Sequence, residues 1–264
     1  MSSFQNQVVW ITGASSGIGE ALAVAFAHEG AVLVLSARRE SELQRVAQMC
    51  QGAKEVFILP LDLTDSASLV AKTQEVVAKF GKIDVLVNNG GISQRGFVKD
   101  TNFEVDRRIM EVNFFGTIAL TKAVLPVMLQ QKSGKIAVVS SLVGKFGTPL
   151  RSAYSASKHA LHGYFDALRA EVWNDGIRVL MACPGFIKTN VSYNALTADG
   201  SPQNSMDDGQ AKGMSAERCA AKIISGLKRN KEEIYIAGWE KIGLLVKRFF
   251  PSLFSRMIRR MKVT

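Results

Sequence analysis

Cysteine is scarce: three residues in 264, at 50, 183 and 219, odd in number and far apart. That excludes a disulfide framework and any recognisable zinc spacing, and it leaves Cys50, Cys183 and Cys219 as small buried apolar groups in a reducing compartment. Histidine is equally rare. His28, His159 and His162 stand in no ligand pattern with carboxylates, which speaks against a metal site. No uncharged apolar run reaches the roughly 20 residues of a membrane span. The N-terminus enters a strand pattern after a few polar residues, leaving no room for a charged and apolar leader, so the expected location is cytoplasmic. Basic residues interleaved with aromatics are also missing, and nucleic acid is not an expected partner.

What is present is an excess of positive charge, unevenly placed. Of the net +10, residues 240–264 supply +6, from seven Lys or Arg against one Glu. Hydrophobic residues reach 47%, ample for a large core. Apolar strand-like runs alternate with helical patterns along the chain, which predicts an α/β fold. The expectation is a single doubly wound parallel sheet, Rossmann-like, with helices on both faces. Strands are expected at Val8–Ile11, Val32–Ser36, Glu55–Leu59, Ile83–Val87, Lys135–Ser140, Ile177–Ala182 and Glu233–Ile236. Helices are expected at Ile18–Glu29, Ser41–Gln51, Ser66–Phe80, about Asp106–Gln130 and Tyr154–Trp173. Pro126 should kink the fourth of these or sit near its end. Residues 1–239 are expected to form one domain, with a polar stretch at 189–213 too long for an ordinary connection and read as a lid. Residues 240–264 form a basic amphipathic tail.

Tyr154 and Lys158 stand four residues apart, on one face of a helix. An ammonium about 5 Å from the hydroxyl, at an effective dielectric of about 20, would favour phenolate by roughly 3 kcal/mol, or about two pK units. That moves a phenol towards working pH, where proton exchange is efficient.

Thr12-Gly13-Ala-Ser-Ser-Gly17-Ile18-Gly19 lies between the first strand and the first helix. Glycines there permit a tight turn and let the backbone approach a pyrophosphate at the helix N-terminus. The second strand ends Ser36-Ala37-Arg38-Arg39, without the carboxylate that would bond a ribose 2′-hydroxyl. Arg38 can hold a 2′-phosphate instead, with a hydroxyl from Ser15 or Ser16, so NADP(H) is preferred over NAD(H). Arg39 is expected to meet solvent or Glu42. Ser141 ends its strand where α/β ligands bind, and its hydroxyl can polarise a carbonyl. Ser140 should turn away by strand alternation.

With TGASSGIG (12–19), Asp62, NNGG (88–91), Asn113, Ser141, YSASK (154–158) and PGFIKT (184–189) in this order, residues 7 to about 237 resemble the short-chain dehydrogenase/reductase family. EVNFFGTIALTKAVLP, RSAYSASKHA and NALTADGS are similar to its member 7 subgroup. One departure is Gly90, where the family usually has alanine; the lost methyl should loosen the turn slightly.

The resemblance implies an enzyme that interconverts a carbonyl and a secondary alcohol by hydride transfer. It makes Asn113, Ser141, Tyr154 and Lys158 the catalytic set, with Asn113 holding a relay water. It puts Asp62 and Leu63 at the adenine, Asn89 and Gly91 under the adenosine ribose, and Lys158 at the nicotinamide ribose. Pro184, Gly185, Ile187 and Thr189 fall at the nicotinamide and pyrophosphate. It also implies a homo-oligomer, dimer or tetramer. From the residues alone Asp62 also reads as a helix cap, and Asn113 as a packing or helix-kink asparagine.

Phe186, Val191, Tyr193 and Leu196 make the lid apolar and point to a lipid- or steroid-like ketone. In the tail, Ile242, Leu245, Val246 and Phe249, then Leu253, Phe254, Met257, Ile258 and Met261, recur at helical spacing beside Lys247, Arg248, Arg256, Arg259, Arg260 and Lys262. Such helices suit an anionic membrane interface, a cover for the substrate pocket, or a subunit contact. The competing function is a non-catalytic NADP(H)-binding regulatory protein that uses the lid and tail to contact a partner.

Overall fold

The computed structural model describes residues 4–260. Met261 and Lys262 of the tail pattern lie outside them. Strands β1 (Val8–Thr12), β2 (Val32–Ser36), β3 (Glu55–Ile58), β4 (Val85–Asn88), β6 (Gly134–Val139), β7 (Ile177–Pro184) and β11 (Glu233–Ile236) form one sheet, ordered β11-β7-β6-β4-β1-β2-β3. Every pairing in it is parallel. Short strands β5 (Gln94–Arg95), β8 (Ile187–Lys188), β9 (Leu196–Thr197) and β10 (Met214–Ser215) make two small pairs outside it, β5 with β9 and β8 with β10.

The strands are almost wholly apolar because both sheet faces are covered. Val9, Ile11, Leu33, Leu35, Val85 and Val87 point to one face, against helices α1 (Gly17–His28), α2 (Glu40–Met49) and α8 (Ala216–Lys228). Val8, Trp10, Val32, Val34 and Leu86 point to the other, against α3 (Leu69–Phe80), α5 (Gly116–Gln131) and α6 (Ser152–Glu171). The expected doubly wound architecture is the observed one. The order in which strands are added reverses between β1 and β4, and the cleft opens there, beyond the carboxyl ends of the strands.

The fourth expected helix is built in three pieces: α4 (Phe103–Met110), a π-turn at 111–115, and α5. Asn113 sits in the π-turn, and Pro126 lies within α5, five residues from its end. The run 103–131 is long and apolar enough to cross a membrane, yet Leu120, Val124 and Met128 pack it into the core beside the sheet.

The stretch read as a lid is folded. The residues that flank it pair as strands β8 and β10, β9 within it pairs with β5, and α7 (Asp208–Ala211) follows. The tail forms two helices, α9 (Ile242–Phe249) and α10 (Pro251–Ile258). Leu244, Val246, Phe254 and Ile258 pack on Leu142, Val143, Phe146 and Cys183, with the Phe146 and Phe254 rings 5.2 Å apart. The other described residues of the tail pattern, Ile242, Leu245, Phe249, Leu253 and Met257, are exposed.

Candidate active site

The glycine turn forms because two of its residues need backbone that other side chains resist. Gly13 and Gly17 have φ of +64° and +58°. A Cβ at Gly17 would lie 3.0 Å from the Thr189 side chain, so the turn packs closely on the segment leaving β7. Thr12 pins the facing loop, its hydroxyl accepting from the Asn89 and Gly90 amides at 3.0 Å each. Ser16, the N-cap of α1, makes no side-chain cap bond, and Ser16, Gly17 and Ile18 line the cleft. An uncapped helix N-terminus on such a wall fits a pyrophosphate.

The cleft encloses about 490 Å³. Gly13, Ser15, Arg38, Asp62, Leu63, Asn89 and Gly91 line it, as do Ser141, Tyr154, Lys158, Pro184, Gly185, Ile187 and Thr189. Two expected residues stand behind the wall. A Cβ on Gly19 would come within 2.2 Å of the Gly13 carbonyl, so Gly19 allows α1 to close on the turn. Asn113 is fully buried. Its amide accepts from Ile92 N (2.8 Å) and donates to Ile92 O (2.9 Å) and Ser157 Oγ (3.0 Å), tying the loop after β4 to α6. Its main-chain carbonyl accepts the Thr117 hydroxyl at 2.9 Å.

Other expectations resolve locally. Asp62 Oδ1 accepts from Thr64 N and Thr64 Oγ1, both at 2.9 Å; it shapes a turn, and helix α3 starts only at Leu69. Arg38 and Arg39 are exposed on the cleft wall, and Glu42 pairs with Arg45 instead of Arg39 because the two lie one turn apart on α2. A methyl at Gly90 would sit 2.8 Å from Leu63 Cδ1, so the missing methyl leaves room for Leu63 more than it loosens the turn. Among the four apolar lid residues, Phe186 and Val191 line the chamber beside Tyr154. Tyr193 is exposed, and Leu196 is buried among Val105, Ile109 and Ala153.

Ser141 Oγ accepts from Val143 N at 3.3 Å and donates to the Pro184 carbonyl at 3.4 Å. Lys158 Nζ donates to the Val139 carbonyl at 2.9 Å and lies 5.7 Å from the centroid of the Tyr154 ring. Burial pushes Lys158 down to about 8. Burial also holds the Tyr154 hydroxyl above its usual range, against a downward pull from Arg151, then from the neighbouring Ser141 hydroxyl and Arg95. Arg151 and Arg95 are thus cations beside the phenol that the sequence did not point to, in addition to Lys158.

Sequence reasoning missed Gln94, Arg95, Arg151 and Asp207. Gln94 Oε1 accepts from Ala153 N (2.9 Å) and Tyr154 N (3.4 Å), capping α6 from 59 and 60 residues away. Arg95 and Arg151 both bond Asp207, 112 and 56 residues distant. No local spacing signals contacts of that length. A further cluster also departs from expectation: His162, Cys183 and Glu233 come together from α6, β7 and β11, their ligand atoms within 4.8 Å of one another. Lys145 Nζ already neutralises Glu233 at 2.7 Å, and burial pushes the Cys183 thiol far up, so the group is held as a neutral ring, a thiol and an ion pair.

The profile of the short chain dehydrogenase family matches residues 7–199. The chain is 48% identical over 237 residues to a dehydrogenase/reductase SDR family protein 7-like of Anopheles gambiae, covering 88% of this chain and 75% of that one. It is 40% identical over 260 residues to the mouse dehydrogenase/reductase SDR family member 7B, covering 96% and 80%. A short chain dehydrogenase/reductase from Burkholderia phymatum, solved in complex with NAD, superposes with a TM-score of 0.85 at 24% identity, covering 96% of each chain. The chain therefore belongs to the short-chain dehydrogenase/reductase family, in its member 7 subgroup, as an oxidoreductase acting on CH–OH and C=O groups with NAD(P).

Proposed function

We propose that the enzyme interconverts a carbonyl and a secondary alcohol with NADP(H), and that Tyr154 exchanges the proton with the substrate oxygen. The observation that carries this reading is the position of Ser141 and Tyr154: both line the dinucleotide cleft and also the smaller chamber beside it, where a substrate would meet the cofactor. A bound nicotinamide supplies or takes up the hydride. Ser141 donates to the reacting oxygen and stabilises its negative charge. Lys158, buried against the cleft, contributes positive charge and donates to the nicotinamide ribose. Asn113 braces α6 through Ser157 and so positions Tyr154 and Lys158.

The turn residues Gly13, Ser15, Ser16, Gly17 and Ile18 hold the pyrophosphate, with Gly19 supporting them. Arg38, exposed at the adenosine end without a neighbouring carboxylate on its strand, favours the 2′-phosphate. Asp62 and Leu63 take the adenine, and Asn89 and Gly91 the ribose. Pro184, Gly185, Ile187 and Thr189 face the nicotinamide and pyrophosphate. The 189–213 stretch acts as the lid, since Thr189, Asn190, Val191, Asn194 and Gln210 line the cleft. Leu142, Val143, Phe146, Phe186 and Val191 give the chamber an apolar wall, which supports a ketone with a lipid- or steroid-like body.

The tail serves two surfaces. Its inner face covers the chamber wall at Phe146. Its outer face, with Trp239, Ile242, Leu245, Phe249, Phe250 and Leu253 exposed among basic residues, suits peripheral contact with anionic lipid. An interface of this patch with its own copy would set +6 against +6, so the homo-oligomer uses another surface.

NADPH consumption measured against a panel of carbonyl compounds tests the proposal. Turnover of at least one apolar ketone is expected. Cofactor binding without turnover of any member would overturn it in favour of a regulatory protein.

A further inference from the structure

Three charged groups from three separate stretches close over Tyr154. Arg95 ends β5, Arg151 precedes α6 and Asp207 precedes α7 in the lid; they are 7%, 6% and 2% exposed. Asp207 accepts from Arg95 Nε at 2.9 and 3.3 Å, from Arg95 Nη2, from Arg151 Nη2 at 3.1 Å and from Gln203 Nε2 at 3.0 Å. Arg95 also donates to Ser93 Oγ at 2.8 Å, and the Arg151 guanidinium lies 5.9 Å from the Phe186 ring centroid. Both guanidiniums line the chamber that Ser141 and Tyr154 line. Two cations and one anion are therefore fixed beside the phenol in a place largely closed to water, where screening is weak.

We propose that Asp207, carried by the lid, sets the acidity of Tyr154 by offsetting the charge of Arg151 and Arg95, so that a seated lid keeps the phenol in its proton-donating form. This rests on the acid–base role proposed for Tyr154. Arg151 reaches Tyr154 from the residue just before α6, three positions earlier, and Arg95 from β5, whose Gln94 caps that helix. The pull of both arginines on the phenol is opposed by its burial, and removing the carboxylate leaves that pull uncompensated. Other ionisable groups facing the same cavities as Tyr154 or packed with it are Lys158 on α6, Cys183 on β7, Arg108 on α4 and Glu240 at the chamber edge; Asp106 on α4 meets the Gln94 that caps α6, and Lys247 on α9 lies over Phe254. None of these bonds Asp207 in the described residues. Asp207 is a positioning residue: it acts on the phenol through the arginines.

The test is the pH profile of kcat/KM for carbonyl reduction, whose fall at high pH follows loss of the Tyr154 proton. D207N keeps the size and hydrogen-bonding reach of the side chain but removes its charge, and should move that limb down by about one pH unit. R151Q should move it up by a similar amount, and R151K should hold it near the wild-type position. A purely structural role would not give shifts of opposite sign. Limbs of D207N and R151Q within about 0.2 unit of wild type, or moving the same way, overturn the proposal. Tyrosinate absorbance, taken as the difference between each protein and its Y154F counterpart, follows the phenol without turnover. Y154F retaining turnover would sink the acid–base role alone, whereas absorbance midpoints unmoved by D207N would sink the coupling.

Discussion

Lys158 Nζ is anchored 2.9 Å from the carbonyl of Val139, the last residue of β6, while the Tyr154 ring stands one turn earlier on the same helix. The two side chains of the motif thus have separable duties. Y154F should lower kcat by about 10³-fold, within the usual range for general acid–base catalysis, with the NADPH Kd changed less than twofold. K158M should also lose turnover, and should weaken NADPH about tenfold, because its buried amine is proposed to bond the ribose. Cofactor titration by fluorescence beside initial rates checks both; Y154F turnover within tenfold of wild type counts against the assignment.

Arg38 bears on the choice of cofactor. R38A should weaken NADPH by about 10- to 100-fold, the worth of a charge-assisted phosphate contact, and leave NADH within about twofold. Equal losses for the two nucleotides would defeat the NADP(H) preference.

Gly19 has no room for a methyl, since its Cβ would meet the Gly13 carbonyl at 2.2 Å and Asn89 Nδ2 at 2.6 Å. G19A should force the turn and the helix apart, costing about 1–3 kcal/mol of stability and weakening either nucleotide. Urea denaturation and cofactor titration measure these separately. An unchanged Kd would show that the turn tolerates the opening.

His162 provides a stability signature. Burial, aided by Lys145, pushes it from 6.5 down to about 4. The unfolded chain takes up this proton as pH falls below about 6.5, and the folded chain does so only near 4. Stability is therefore fully present above 6.5 and is lost as pH falls through that window, by about 2 kcal/mol at pH 4.5. In H162Q the difference in unfolding free energy between pH 7 and pH 4.5 should shrink by that amount. An unaltered difference would mean that another group carries the acid sensitivity.

The tail is tested on vesicles. The wild-type chain should float with vesicles containing anionic lipid and less so at high salt, whereas L245D/F249D should stay in solution with its turnover intact. Flotation unaffected by the two aspartates would remove the outer face as the docking surface.

Much of the architecture is legible because its signals are local. Continuous apolar runs such as Val32–Ser36, separated by amphipathic helices, leave a buried parallel sheet as the consistent packing, and the Gly13–Gly19 turn marks where its first crossover meets a phosphate. Helix ends shift by a few residues where tertiary contacts intervene. Helix α6 begins at Ser152, before Tyr154, with a remote Gln94 side chain as its cap. The π-turn at Asn113 likewise follows from bonds to Ile92 and Ser157, which no helical periodicity announces.

The amino-acid order alone determined the alternation of strand and helix, the phosphate-binding turn, the missing acidic residue after β2, and the four-residue spacing of Tyr154 and Lys158. All of these depend on backbone geometry and on neighbours within one turn or one connection. Tertiary structure alone decided which charges face the phenol, because Arg95, Arg151 and Asp207 meet only when the lid folds back across 112 residues of chain. It also decided which side of the tail is covered. Helical spacing records two apolar sides without distinguishing them, and the one that fits against Phe146 becomes buried.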